Sequence, residues 1–104
     1  KPAGRALVAT DRVPVGGSLG FTDPKSGDPG LLLQRAAGTF VAFNAICPHA
    51  GCTVGYSRHA DLIVCPCHGS EFNPNTGGLV RGPAPHGLSS IPVAESNGEL
   101  YVDG

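Results

Sequence analysis

The chain contains no methionine and no tryptophan, and only 14% of its 104 residues are charged. Its formal net charge is −1, with neither a basic stripe nor an acidic tail, so nothing favours nucleic acid or an anionic membrane surface as a partner. No apolar run approaches the roughly 18 residues of a membrane helix. No stretch keeps a helical period for more than a turn or two, which disfavours a helical architecture. No signal-peptide pattern opens the chain, which is compatible with Lys1 as the start of a mature or trimmed form. Abundance lies elsewhere. Sixteen glycines and ten prolines make turns frequent and long helices unfavourable. A chain of 104 residues is expected to be one domain with a modest core.

Short apolar runs broken by turn residues give an all-β reading. Ala6 to Thr10 is expected as a first strand. Leu31 to Arg35 and Thr39 to Ala45 form a hairpin around Ala36-Ala37-Gly38, and Ile91 to Ala94 with Leu100 to Val102 form another around Ser96-Asn97-Gly98. From Ser18 to Gly30 the composition turns to Gly, Pro, Asp, Ser and Lys, which reads as an exposed loop. Apart from two similar Cys/His pieces, the sequence reads as free of internal repeats and of low-complexity segments.

Those two pieces hold all four cysteines: CPHAGC at residues 47–52 and CPCHGS at residues 65–70. Together they offer six soft or borderline ligands, Cys47, His49, Cys52, Cys65, Cys67 and His68, of which a metal site normally takes four. Gly51 and Gly69 sit at the bends, where a backbone folded tightly around a metal needs positive φ. Two cysteines and two histidines also suit structural zinc, but zinc explains neither the extra cysteine pair nor the serine and proline-rich loop that follow.

The paired pieces resemble the Rieske iron–sulfur family, whose signature is C-x-H-x-G-C followed by C-P-C-H-x-S. The resemblance implies an antiparallel β-sandwich base with a small inserted cluster-binding subdomain, about residues 44–85, within a single domain spanning 1–104. It implies one 2Fe-2S cluster per chain, with Cys47 and Cys65 on one iron and His49 and His68 on the other. Cys52 and Cys67 would then form a disulfide tying the two loops together. Ser70 would donate a hydrogen bond to a bridging sulfide, and Arg81-Gly82-Pro83-Ala84-Pro85 resembles the proline-rich loop that covers the cluster. His59 and His86 read as solvated loop histidines, His86 lying close enough to the cover loop to contact a partner. Replacing two thiolates by neutral imidazoles removes negative charge, which moves the potential from about −400 mV into a window of roughly −150 to +300 mV.

The extra cysteine pair resembles the disulfide-containing branch of the family, that of cytochrome bc and the arsenite oxidase small subunit. Where cytochrome bc-type members carry tyrosine two residues after the serine, this chain has Phe72, as in the arsenite oxidase subunit and stand-alone bacterial Rieske proteins. The implied function is single-electron transfer, as relay subunit of a respiratory or photosynthetic quinol-oxidising complex or of a related oxidoreductase. The implied partners are a cytochrome b-type or catalytic subunit and a c-type cytochrome acceptor. Any membrane association would run through a partner or an N-terminal anchor outside this sequence, and catalysis would belong to the larger complex. A disulfide favours an extracytoplasmic setting: periplasm, outer membrane face or organelle lumen. A Rieske domain feeding an oxygenase is the alternative of another class, and it calls for a mononuclear iron site in the same polypeptide.

Overall fold

A computed structural model of the chain describes residues 6–48 and 51–102. Its organising element is a continuous apolar run. Leu31, Leu32 and Leu33 are each 5% exposed or less, so this strand is covered on both faces. Because side chains alternate along a strand, Leu31 and Leu33 face one core while Leu32 faces another. The first core gathers Phe43, Ala45, Cys47, Val54, Ile63, Cys65 and Phe72; the second gathers Val13, Ala42, Ile91, Leu100 and Val102.

The strands, numbered in chain order, are β1 Ala6–Ala9, β2 Ser18–Thr22, β3 Pro29–Ala36, β4 Thr39–Asn44, β5 Gly55–Ser57, β6 Leu62–Val64, β7 Glu71–Phe72, β8 Leu79–Arg81, β9 Val93–Ser96 and β10 Glu99–Val102. Among the described residues the protein is all-β apart from one short turn of 3-10 helix, Thr10–Arg12. Three antiparallel sheets form, ordered β1-β10-β9, β2-β3-β4 and β5-β6-β7-β8. The middle sheet is the shared wall, since its two faces line the two cores. No described helix is long and apolar enough to cross a membrane.

The hairpins follow from local chemistry. Asn97 and Gly98 both adopt positive φ, at 53° and 76°, the pattern that suits a tight turn between right-twisted strands, and they join β9 to β10. Between β3 and β4 the buried Gln34 fills its amide at both ends: its Nε2 donates to Val13 O and its Oε1 accepts the Gly38 N–H at 2.9 Å. A buried amide satisfied this way avoids the desolvation cost of an unpaired polar group.

One expectation is overturned here. Ser18 to Thr22 is a strand, paired with β3 from Ser18↔Leu33 to Thr22↔Pro29, and not part of an exposed loop. Leu19 and Phe21 alternate onto the second core, and the Phe21 ring lies over Gly30, where any Cβ would collide with it. Glycine and serine on the opposite face had hidden that alternation. Only residues 23–28 remain a loop.

The β5-β6 hairpin is fastened to the end of β3 by Arg35. Its guanidinium donates to the Tyr56 hydroxyl at 3.1 Å and to Asn75 Oδ1 at 2.8 Å, and it pairs with Asp61 at 3.0 Å. The Tyr56 hydroxyl donates to Asp61 at 2.6 Å. That bond, followed by the one from Arg35, holds the Asp61 carboxyl below its ordinary value. A carboxyl lowered on folding stabilises fully above the ordinary carboxylate range, about pH 4, and loses that contribution as pH falls through its folded value. Asp61 is largely exposed, so the contribution is modest. Asp61→Asn is therefore expected to lower stability slightly at neutral pH and to converge with the parent in acid, as urea titrations at several pH values will show.

Candidate metal centre

The two Cys/His pieces are two copies of one turn, and the turn occurs four times. In 23–28, 47–52, 65–70 and 73–78 the sequence reads x-Pro-x-x-Gly-x: DPKSGD, CPHAGC, CPCHGS and NPNTGG. In each, the first residue's N–H donates to the sixth residue's carbonyl, at 2.8 Å every time, and the glycine N–H donates to the first residue's carbonyl at 2.7–3.0 Å. The four glycines, Gly27, Gly51, Gly69 and Gly77, all have φ between 76° and 79°, a region open to glycine at no steric cost. Three of these turns close hairpins, β2-β3, β6-β7 and β7-β8, and 47–52 closes the short ladder marked by the Ile46↔Thr53 bridge. The sequence is therefore not free of internal repeats. A fourfold turn motif was present in it, and attention to cysteine hid the two copies that lack it.

The repeat explains how the thiols are held. Among the described copies, the turn aims backbone N–H groups at the side chain of its first residue. Asn73 Oδ1 accepts them from Asn75 at 2.7 Å and from Thr76 at 3.2 Å, and Asp23 Oδ1 accepts the Lys25 N–H at 2.9 Å. Where the first residue is Cys65, the same two amides, of Cys67 and His68, point at sulfur. Burial pushes the Cys65 thiol up, but these amides and the Cys47 thiol outweigh it, so it lies below its ordinary value. A thiolate is the metal-binding form, and this turn favours it.

Cys47 and Cys65 are the free cysteines, 1% and 0% exposed, buried side by side at the roots of the two turns. Cys52 and Cys67 are joined in a disulfide with Cα atoms 6.4 Å apart. The sulfurs of Cys52, Cys65 and Cys67 lie within 4.8 Å of one another, but the bond between two of them leaves Cys65 as the ligand of that trio. His68 is exposed on the same turn. His49 and Ala50 lie outside the described residues.

Ser70 is fully buried, and its Oγ accepts the Ala84 N–H at 3.2 Å. A hydroxyl used as an acceptor keeps its proton for another partner. Gly82 packs directly on Ser70: a Cβ there would lie 2.8 Å from Ser70 Oγ. The 82–85 segment therefore lies across the second turn, with Ala84 buried and Pro83 and Pro85 exposed. His86 is exposed beside it, its Nδ1 2.8 Å from Gly87 O, and His59 is exposed in the β5-β6 turn. Two contacts escaped the sequence reading, Gly82 on Ser70 and a Glu71–Arg81 pair, because both depend on strand register.

Two buried thiols, one of them lowered from its ordinary value, an imidazole at the surface and a spare hydroxyl proton are a donor set suited to an iron–sulfur cluster with mixed sulfur and nitrogen ligation. The arrangement defines an iron–sulfur domain. The chain belongs to the Rieske family: the family described as Rieske [2Fe-2S] domain matches residues 7–92, and the cofactor is a 2Fe-2S cluster. Over 79 residues the chain is 43% identical to the cytochrome b6-f complex iron-sulfur subunit of Prochlorococcus marinus, an alignment that takes in 73% of this chain and 43% of that protein. The fold matches the plasma membrane Rieske protein PetC3 of Synechocystis PCC 6803 with a TM-score of 0.83 at 29% identity, covering 96% of this chain and 99% of that one. A ferredoxin of Sphingomonas yanoikuyae B1 shares the fold at a TM-score of 0.81 and 21% identity, covering 98% of this chain and 99% of that one. The chain spans less than half the length of the curated relatives it matches. Cys52–Cys67 places it in the disulfide-containing branch.

Proposed function

We propose that this chain is a single-electron relay in which Cys47 and Cys65 hold one iron of the cluster and His49 and His68 hold the other. The observation that carries this reading is the pair of buried free thiols at the roots of two like turns, with His68 exposed on one of them. Bound there, a 2Fe-2S cluster supplies one-electron redox chemistry in a window of roughly −150 to +300 mV. The protein's part is placement. Buried cysteines anchor the inner side, an exposed imidazole offers a short path to a partner, and the buried Ser70 hydroxyl keeps a proton to donate. Residues 47–52, 65–70 and 82–86 include no Asp, Glu, Lys or Arg. Docking at this tip therefore draws on apolar and hydrogen-bonding contacts more than on charge steering.

The relatives named as cytochrome b6-f subunits support a quinol-oxidising cytochrome b-type subunit as donor and a c-type cytochrome as acceptor. The disulfide supports an extracytoplasmic setting. Iron and acid-labile sulfide analysis tests the core of the reading: two of each per chain are expected. Stoichiometric zinc without sulfide, in protein made with ample iron, would overturn it.

Phe72 tunes this site by what it lacks. It is fully buried in the core that contains Cys47 and Cys65. Phe72→Tyr adds a hydroxyl to that core, and a bond from it to a ligand sulfur would stabilise the reduced, more negative state more than the oxidised one. One net hydrogen bond of about 1 kcal/mol corresponds to a rise of about 40 mV. Voltammetry of Phe72→Tyr at fixed pH and full cluster content is expected to show that rise; Ser70→Ala is expected to move the potential down by a similar amount.

A further inference from the structure

We infer that Arg81 is a positioning residue for the cluster site, acting through Glu71 to latch the 82–85 segment onto Ser70. The pairing of β7 with β8 is irregular where it matters: Phe72 is opposite Leu79 and Glu71 opposite Arg81, so Val80 is an extra residue on the edge strand. A bulge of this kind interrupts the backbone ladder and leaves the strand end less firmly held. Arg81 Nε lies 2.8 Å from Glu71 Oε1 there. That oxygen is buried and has no hydrogen-bond partner among the described residues, so the Arg81 charge is what compensates its burial. Arg81 itself is largely exposed, its side chain at 74%. Packing does not hold it, so the ion pair does.

The pair stands one residue from the contact it protects on both strands. Ser70 precedes Glu71, and Gly82 follows Arg81 with φ of 109°, so close to Ser70 that any Cβ on it would collide with that residue. Two residues further on, the Ala84 N–H occupies an acceptor site of Ser70 Oγ and so fixes where the hydroxyl proton can go. Without Arg81, the buried Glu71 oxygen gains by turning to water, the end of β8 is released, and Ser70 loses the contact that orients it. The link to the cluster rests on the function proposed above; the latch does not.

Arg81→Leu and Glu71→Leu, with Arg81→Lys as the conservative variant, test this. Hydrogen exchange of the 82–88 segment, read by mass spectrometry, is expected to quicken about fivefold in both leucine variants, the factor given by roughly 1 kcal/mol. Exchange in β3 should be unchanged, and Arg81→Lys should stay near the parent. In cluster-loaded protein the midpoint potentials of both leucine variants should shift in the same direction, because both free the same loop. Shifts of opposite sign would mean that the two charges act only through space, and would overturn the positioning role. Unchanged exchange in either leucine variant would overturn the latch. Protein that takes up no iron and sulfide would sink the proposed function, while the exchange result would still decide the latch.

Discussion

Cys65→Ser is expected to give protein with almost no iron and no acid-labile sulfide, while the second core stays folded. The reason lies in the turn. Two backbone amides and the neighbouring Cys47 thiol favour the charged form of Cys65 even though burial opposes it. Serine keeps the shape and the amides but does not ionise at neutral pH, so it offers no anionic ligand where a soft one is needed. Cys47→Ser is expected to lose iron and sulfide as well, since it removes the other buried free thiol. Ser70→Ala, by contrast, removes a hydrogen-bonding hydroxyl and no proposed ligand, so the cluster should remain. Iron per chain, sulfide and visible absorbance check all three variants. Val13, Leu32, Ala42, Ile91, Leu100 and Val102 pack on the far side of the middle sheet, so thermal unfolding should still report a cooperative base in the cluster-free variants. Cys65→Ser protein that keeps two irons would remove Cys65 from the ligand set.

How much of this was legible in the sequence differs by element. The two hairpins at β3-β4 and β9-β10 could be read because glycine-containing turns separate apolar runs. The four-stranded sheet under the turns could not. Its strands are two or three residues long, too short to display a period, and their pairing is fixed by the turns between them. β2 was lost for another reason: its outward positions are Ser18 and Gly20, which read as loop when composition is weighed ahead of alternation.

The two Cys/His pieces were legible in the sequence, but the turn geometry that shapes them was not. Cysteine spacing pointed to the two pieces. What makes those pieces ligand turns is the proline and glycine around them, and the same frame recurs at Asp23 and Asn73, where oxygen accepts the amides that elsewhere point at sulfur. The hairpin turn is thus the general frame and the thiol turn the special case: cysteine in place of aspartate or asparagine at its first position puts sulfur where the amides point. Glu71 and Arg81 were invisible in the same way, since two opposite charges ten positions apart mean little until a bulged register brings them to 2.8 Å.

Breaking the disulfide is expected to loosen the cluster far more than the fold. The disulfide joins Cys52, the last residue of the first turn, to Cys67, in the middle of the second, and Cys67 is exposed, so the bond is open to reductant. Cross-linking residues 15 apart is worth about 3 kcal/mol in a chain-entropy estimate. That is an upper figure for folding here, because β5 and β6, lying between the two cysteines, already pair and bring the turns together. The two turns are tied to each other less directly: each is closed by its own two backbone bonds, and the disulfide is the covalent link between them. Cys52→Ala with Cys67→Ala should therefore lower the unfolding temperature of the base slightly and hasten cluster loss to a chelator by up to about 100-fold, the factor equivalent to roughly 3 kcal/mol. Bleaching of the visible absorbance under chelator measures the rate, and treating the parent with reductant should reproduce the variant's behaviour. A parent and a double variant that bleach at the same rate would show that the paired strands alone fix the turns and that the disulfide does not hold the cluster in place.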